Sequence, residues 1–194
     1  MLSKNIMPRS LRGFTLTEAA IVLGIVGLIL GAIWVAAAAV YNNMRVSTTT
    51  NQLLQMVQSI RSMHATQQTV DAAITAELVA QAGGIPSDMI TRDAAGVVTD
   101  VTDVWGGQVN VSQGASTDSF MITFANVPQG PCSDILVRST GPGRDTGLSI
   151  AGAGGGTATA AAGTFPIGVA AAVGFCNVTA AAGNTLTFTF RLRG

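Results

Sequence analysis

From residue 19 to residue 40 the chain runs for 22 residues without a charge. At about 1.5 Å of rise per residue, that is enough helix to cross the hydrocarbon core of a bilayer. The run is too long for the apolar core of a secretory signal, although residues 36–39, all alanine, resemble the small-residue site at which such signals are cut. Any further fold must be attached to this segment or packed on it. Lys4, Arg9 and Arg12 flank the run on its N-terminal side and Arg45 on the other. The positive-inside rule therefore places the N-terminus in the cytoplasm and the remainder outside.

Past Tyr41 the sequence turns polar without a helix breaker. Apolar residues then return at Leu53, Val57 and Ile60, with Met56 and Met63 beside them. That three-and-four spacing makes one stripe of an amphipathic helix. An unbroken helix over residues 14–67 would be roughly 80 Å long, far more than a bilayer needs, so its second half must pack on protein. Thr69 or Asp71 can cap a second helix over 72–82, which Gly83, Gly84 and Pro86 stop.

After a brief turn at 87–90 the texture changes. Residues 97–104 read as a loop or weak strand, and 108–111 and 120–124 as strands, from their alternation and β-branched content. Pro131, Ser133 and Asp134 open a short helix through Arg138. Residues 141–164 are Gly, Ala and Pro with little periodicity, a loop region with a short strand at 148–150. Residues 185–192 place Leu186, Phe188 and Phe190 on one face and threonines on the other, a strand with one buried face. The expected fold is α+β: a long N-terminal helix packed on a C-terminal antiparallel sheet. Three segments follow: a leader over 1–13, an apolar helix over 14–41 and a globular body over 42–194.

Ten basic residues balance ten acidic ones, but three of the basic ones precede Gly13, so the body is mildly acidic. It offers no basic stripe for a phosphate backbone, and no nucleic-acid partner is expected. Cys132 and Cys176 both lie in the exported part, which favours a disulfide over two free buried thiols. Closing a loop of roughly 44 residues would contribute about 4 kcal/mol on the chain-entropy model.

Catalytic and metal chemistry is poorly supplied, and neither an enzyme nor a cofactor is expected. His64, the single histidine, falls near the apolar stripe, where a packed or half-exposed imidazole is the ordinary reading. Asp93, Asp100 and Asp103 lack the pattern of a calcium loop and read as a solvated loop. Gly27 and Gly31, with Gly24 nearby, give a Gly-x-x-x-Gly spacing, either ordinary glycine content or a face for close helix packing.

Glu18 is different, because a carboxylate buried among helices must be neutralised or paired, and the apolar run holds no cation. A cut after Gly13 would create one, the new amine of Phe14, four residues away or on a neighbouring copy.

Gly13-Phe14-Thr15-Leu16-Thr17-Glu18, preceded by basic residues and followed by the apolar run, resembles the processing signature of type IV pilins and the related pseudopilins. Ile85-Pro86-Ser87-Asp88-Met89-Ile90, Trp105-Gly106-Gly107, residues 120–128 ahead of Cys132, and Asn184-Thr185-Leu186-Thr187 after Cys176 resemble landmarks of the type IVb group, especially the major pilin of plasmid-type thin pili. The short leader and Phe14 are closer to the type IVa habit. The resemblance implies cleavage between Gly13 and Phe14 by the prepilin peptidase, N-methylation of Phe14, and pairing of Glu18 with the Phe14 amine of an adjacent subunit. It also implies that Cys132 and Cys176 bracket a variable surface region.

By the same resemblance the chain is a structural subunit of a helical homo-oligomeric filament serving adhesion, conjugation or motility. It would wait in the inner membrane and be assembled by a platform and ATPase machinery into an extracellular pilus. Two alternatives are a pseudopilin of a type II secretion system and a single-pass anchored periplasmic binding protein.

Overall fold

The computed structural model describes residues 15–139, 149–152, 159–160, 166–177 and 183–193. Its contacts divide the chain into two units that meet between Tyr41 and Asn42. Within the first unit the described chain is helix, the beginning of α1 (Leu16–Met63). No helix breaker interrupts α1, and the apolar stripe read from the sequence accounts for its second part: Val46, Leu53, Met56, Val57 and Ile60 are all buried in the body. The helix ends four residues short of the expected 67, in a turn where the His64 amide still bonds to the Ile60 carbonyl.

The second helix is shorter than predicted. α2 (Ala76–Gln81) is capped by Thr75, whose Oγ1 accepts from the Leu78 amide at 3.3 Å. Asp71 is occupied otherwise, accepting from the Ala73 amide at 2.9 Å in a local turn, so it cannot cap the helix. A 3-10 turn over Ser87–Met89 leads into β1 (Ile90–Arg92), which pairs antiparallel with β2 (Val98–Val101) in a small two-stranded sheet.

The main sheet carries the core. It contains β3 (Val109–Gln113), β4 (Ser119–Val127), β5 (Ser149–Gly152), β6 (Thr159–Ala160) and β7 (Asn184–Arg191) in the spatial order β3-β4-β7-β5-β6, with every pairing antiparallel. Alternation decides which side chains are inside: Leu186, Phe188 and Phe190 are buried, and Phe120, Ile122 and Phe124 lie opposite them on β4. The rings are set at packing distance, Phe120 on Phe190 at 5.8 Å and Phe124 edge-on to Phe188 at 6.2 Å. Threonines fill the other face, where Thr123 and Thr187 share a hydrogen bond at 3.1 Å.

β4 and β7 slip register between Phe124 and Val127, and Asn126 sits there in the left-handed region at φ 59°. Asn184, fully buried, donates from Nδ2 to the Val127 carbonyl at 3.2 Å and so restores pairing beyond the bulge.

Two helices complete the body. α3 (Gln129–Ser139) begins two residues earlier than Pro131, and α4 (Val169–Phe175) follows the Gly/Ala-rich region. At the far end of α1, Arg61 donates from Nε and Nη2 to the Arg191 carbonyl, at 3.0 and 2.7 Å, fastening the helix to the last strand.

Candidate assembly site

The described part of the first unit is an apolar helix that no other described residue covers. Leu16, Leu28 and Trp34 are 88%, 77% and 75% exposed, and none of the most apolar 18-residue window of α1 is buried. A helix that is apolar all round belongs in lipid or against other apolar helices. Gly24, Gly27 and Gly31 have open space where a Cβ would stand, so their spacing serves no contact within the unit.

Glu18 lies in the first turn of α1 and is exposed. Its amide donates to Thr15 Oγ1 at 3.3 Å, and Thr15 Oγ1 lies 3.2 Å from Thr17 Oγ1. Thr15 is thus the N-cap, and Thr15-x-x-Glu18 has the spacing of a capping box, in which the glutamate also suits the positive end of the helix dipole. That signal is legible in the sequence, beside the processing motif that overlaps it. Gly13 and Phe14 lie outside the described residues.

Cys132, on α3, and Cys176, just past α4, are joined by a disulfide with Cα atoms 5.9 Å apart and no exposure of either residue. The bond pins the two helices together across a sequence separation of 44 residues.

The aspartates expected to form a solvated loop divide into distinct roles. Asp93 is exposed and holds its own turn, accepting from the amides of Ala95 and Val97 at 2.9 and 2.8 Å. Asp103 is buried, which corrects the solvated-loop reading. Its Oδ1 accepts from the amides of Trp105 and Gly107 at 2.9 and 2.8 Å. Burial pushes its carboxyl above the ordinary 3.8, opposed by the backbone N–H groups of Gly107, Trp105 and Gly106 and by the charge of Arg45 on α1.

The Trp105-Gly106-Gly107 stretch has a physical reason as well. Gly106 takes φ +78°, and a Cβ on Gly107 would run into the Ala125 carbonyl.

His64 is half-buried at the end of α1 with Nδ1 2.9 Å from the Ile60 carbonyl. Among the described residues no cluster of His, Cys, Asp or Glu is arranged to hold a metal ion.

A model of the PilS family, described as PilS N terminal, matches residues 43–191. The chain belongs to the PilS family of type IV pilins. The crystal structure of a type IV b pilin from Salmonella typhi is similar to this pilin with a TM-score of 0.50 at 20% identity, covering 78% of this chain and 99% of that one. At that identity the likeness is one of fold alone. TcpA, a type IV pilin from Vibrio cholerae El Tor biotype, gives a TM-score of 0.43 at 12% identity over 76% of this chain and 98% of that one. No curated protein matches this chain by sequence.

Proposed function

We propose that the chain is the structural subunit of a type IV pilus, held in the inner membrane with its N-terminus in the cytoplasm until assembly. Prepilin peptidase cuts between Gly13 and Phe14, Phe14 is N-methylated, and a platform with its ATPase moves the subunit into an extracellular filament for adhesion, conjugation or motility. In the filament the apolar helices of successive copies cover one another, with Gly24, Gly27 and Gly31 allowing close approach, and Glu18 pairs with the Phe14 amine of a neighbour.

The observation that carries this reading is the uncovered apolar beginning of α1. Through Tyr41 the described helix is about 26 residues, roughly 39 Å of apolar surface with nothing packed on it. Lipid satisfies such a surface before assembly, and copies of the same helix satisfy it afterwards. Glu18 supports the sequence of events: at the helix start it tolerates an interface, but among apolar helices it requires a cation.

Glu18→Ala tests the reading. The precursor should be made and inserted in the membrane at normal levels, while electron microscopy of the cells shows no filaments. Normal filaments from this variant would overturn the pairing. Mass spectrometry of the wild-type filament subunit should give Phe14 as the first residue, carrying one methyl group.

A further inference from the structure

Arg138 lies in the last turn of α3 and is exposed, and its Nη2 donates to Asn43 Oδ1 at 3.4 Å. The two residues are 95 apart in sequence, so this bond ties the end of α3 to one level of α1. A guanidinium carries five N–H donors, and Asn43 takes one of them. Among the described residues no carboxylate pairs with Arg138, including Asp134 one turn earlier on the same helix.

The level is set by the covalent chain. The uncharged run ends at Val40, and Asn43 follows it by three residues. Three residues of helix rise about 4.5 Å, and three residues of fully extended chain reach at most about 11 Å. Connectivity alone therefore keeps Asn43 close to the end of the run, and Arg138 is held beside it. The 22 residues of the run make about 33 Å of helix, slightly more than the roughly 30 Å of a bilayer's hydrocarbon core. Headgroups add about 5–7 Å on each side. When the run fills the core, Asn43 and the guanidinium it holds fall at headgroup depth.

Two aromatic residues mark the same boundary. Trp34 and Tyr41 are both exposed, and at seven residues apart, about two turns, they lie on one side of α1. Their rings suit the zone where hydrocarbon gives way to headgroups, with an apolar body on one side and a polar tip on the other. Past Tyr41 the chain meets no acidic residue until Asp71, so α1 brings no carboxylate to repel an anion at this level.

We propose that, before assembly, Arg138 binds the phosphate of a phospholipid headgroup in the leaflet on the body's side of the inner membrane. This rests on the inner-membrane placement of the proposed function. A phosphodiester accepts two parallel N–H bonds from one guanidinium, and the donors that Asn43 leaves over can supply them. The contact gives the body a second attachment to the bilayer, at the surface, besides its covalent continuity with α1.

The test is carbon–phosphorus rotational-echo solid-state NMR on the full chain, carbon-13 labelled at arginine Cζ and reconstituted in bilayers of phosphatidylethanolamine and phosphatidylglycerol. Phosphorus should dephase one Cζ fewer in Arg138→Gln than in the wild type. In bilayers of a glucosyl diacylglycerol, which carries no phosphate, with inorganic phosphate in the buffer, the two proteins should be equal. Equal dephasing of wild type and variant in phospholipid would overturn the proposal. So would a difference that persists in the glycolipid bilayer, because the seat would then be one for free phosphate. Resistance to carbonate extraction reads the membrane placement by itself. A chain that is extracted overturns that placement and this proposal together, whereas a retained chain without the phosphorus difference overturns this proposal alone.

Discussion

Consider removing the Cys132–Cys176 bond by the double substitution Cys132→Ala and Cys176→Ala. The bond closes a loop of 44 residues. On the chain-entropy model that constrains the unfolded state by about 13 cal/mol/K, or about 4 kcal/mol at room temperature. Alanine is the right replacement because both residues are completely buried, and serine would strand two hydroxyls in the core. The measurement is urea unfolding of the full chain in detergent micelles, followed by tryptophan fluorescence, since half-buried Trp105 packs against the core. With a slope of roughly 2 kcal/mol per molar urea, the midpoint should fall by about 2 M. Wild type treated with reductant should fall by a similar amount, because in both cases the loop is opened. A shift below about 0.5 M in both samples would refute the reasoning, showing that the unfolded chain is already as compact without the cross-link as with it.

Three further outcomes are expected. Asp103 has a folded carboxyl pKa raised above its unfolded value, so its contribution is fully present below pH 3.8 and is lost as pH rises through the folded value. Asp103→Asn keeps the acceptor for Trp105 and Gly107, and its stability relative to wild type should be greatest at neutral pH and shrink on acidification, read by thermal unfolding across the pH range. Phe188→Ala, at a fully buried position touching Phe124 and Phe190, should cost about 3–5 kcal/mol in urea unfolding. Gly107→Ala sets a methyl group against the Ala125 carbonyl and should cost about 1–3 kcal/mol by the same assay.

Where periodicity was strong, the fold was legible. The stripe at Leu53, Val57 and Ile60 and the alternation of Leu186, Phe188 and Phe190 each named a buried face that the structure bears out. Such patterns are local consequences of a distant core, so they survive in a single sequence. Short elements were harder to read. β1 has three residues and exists because β2 pairs with it, and nothing in Ile90-Thr91-Arg92 alone announces a strand. α4 hides in Ala- and Gly-rich text, where composition masks a helix of seven residues. The start of α2 was misplaced because Thr69, Asp71 and Thr75 are all chemically able to cap, and only the bond at Thr75 distinguishes them. Asp103 reads as a loop aspartate because its burial comes from tertiary packing that no local pattern announces.

The sheet order carries a consequence for how the body comes into being. β7 lies between β4 and β5, so the strand nearest the C-terminal end of the described chain fills the middle of the sheet. Neither β4 nor β5 has its central partner until residues 184–191 are available, and those residues also supply the carbonyl that fastens Arg61. A chain broken off before Asn184 would leave Phe120 and Phe124 of β4 without the β7 side chains they pack on. Completion is in this sense checked by the architecture itself: the middle of the main sheet is filled only when residues 184–191 have arrived.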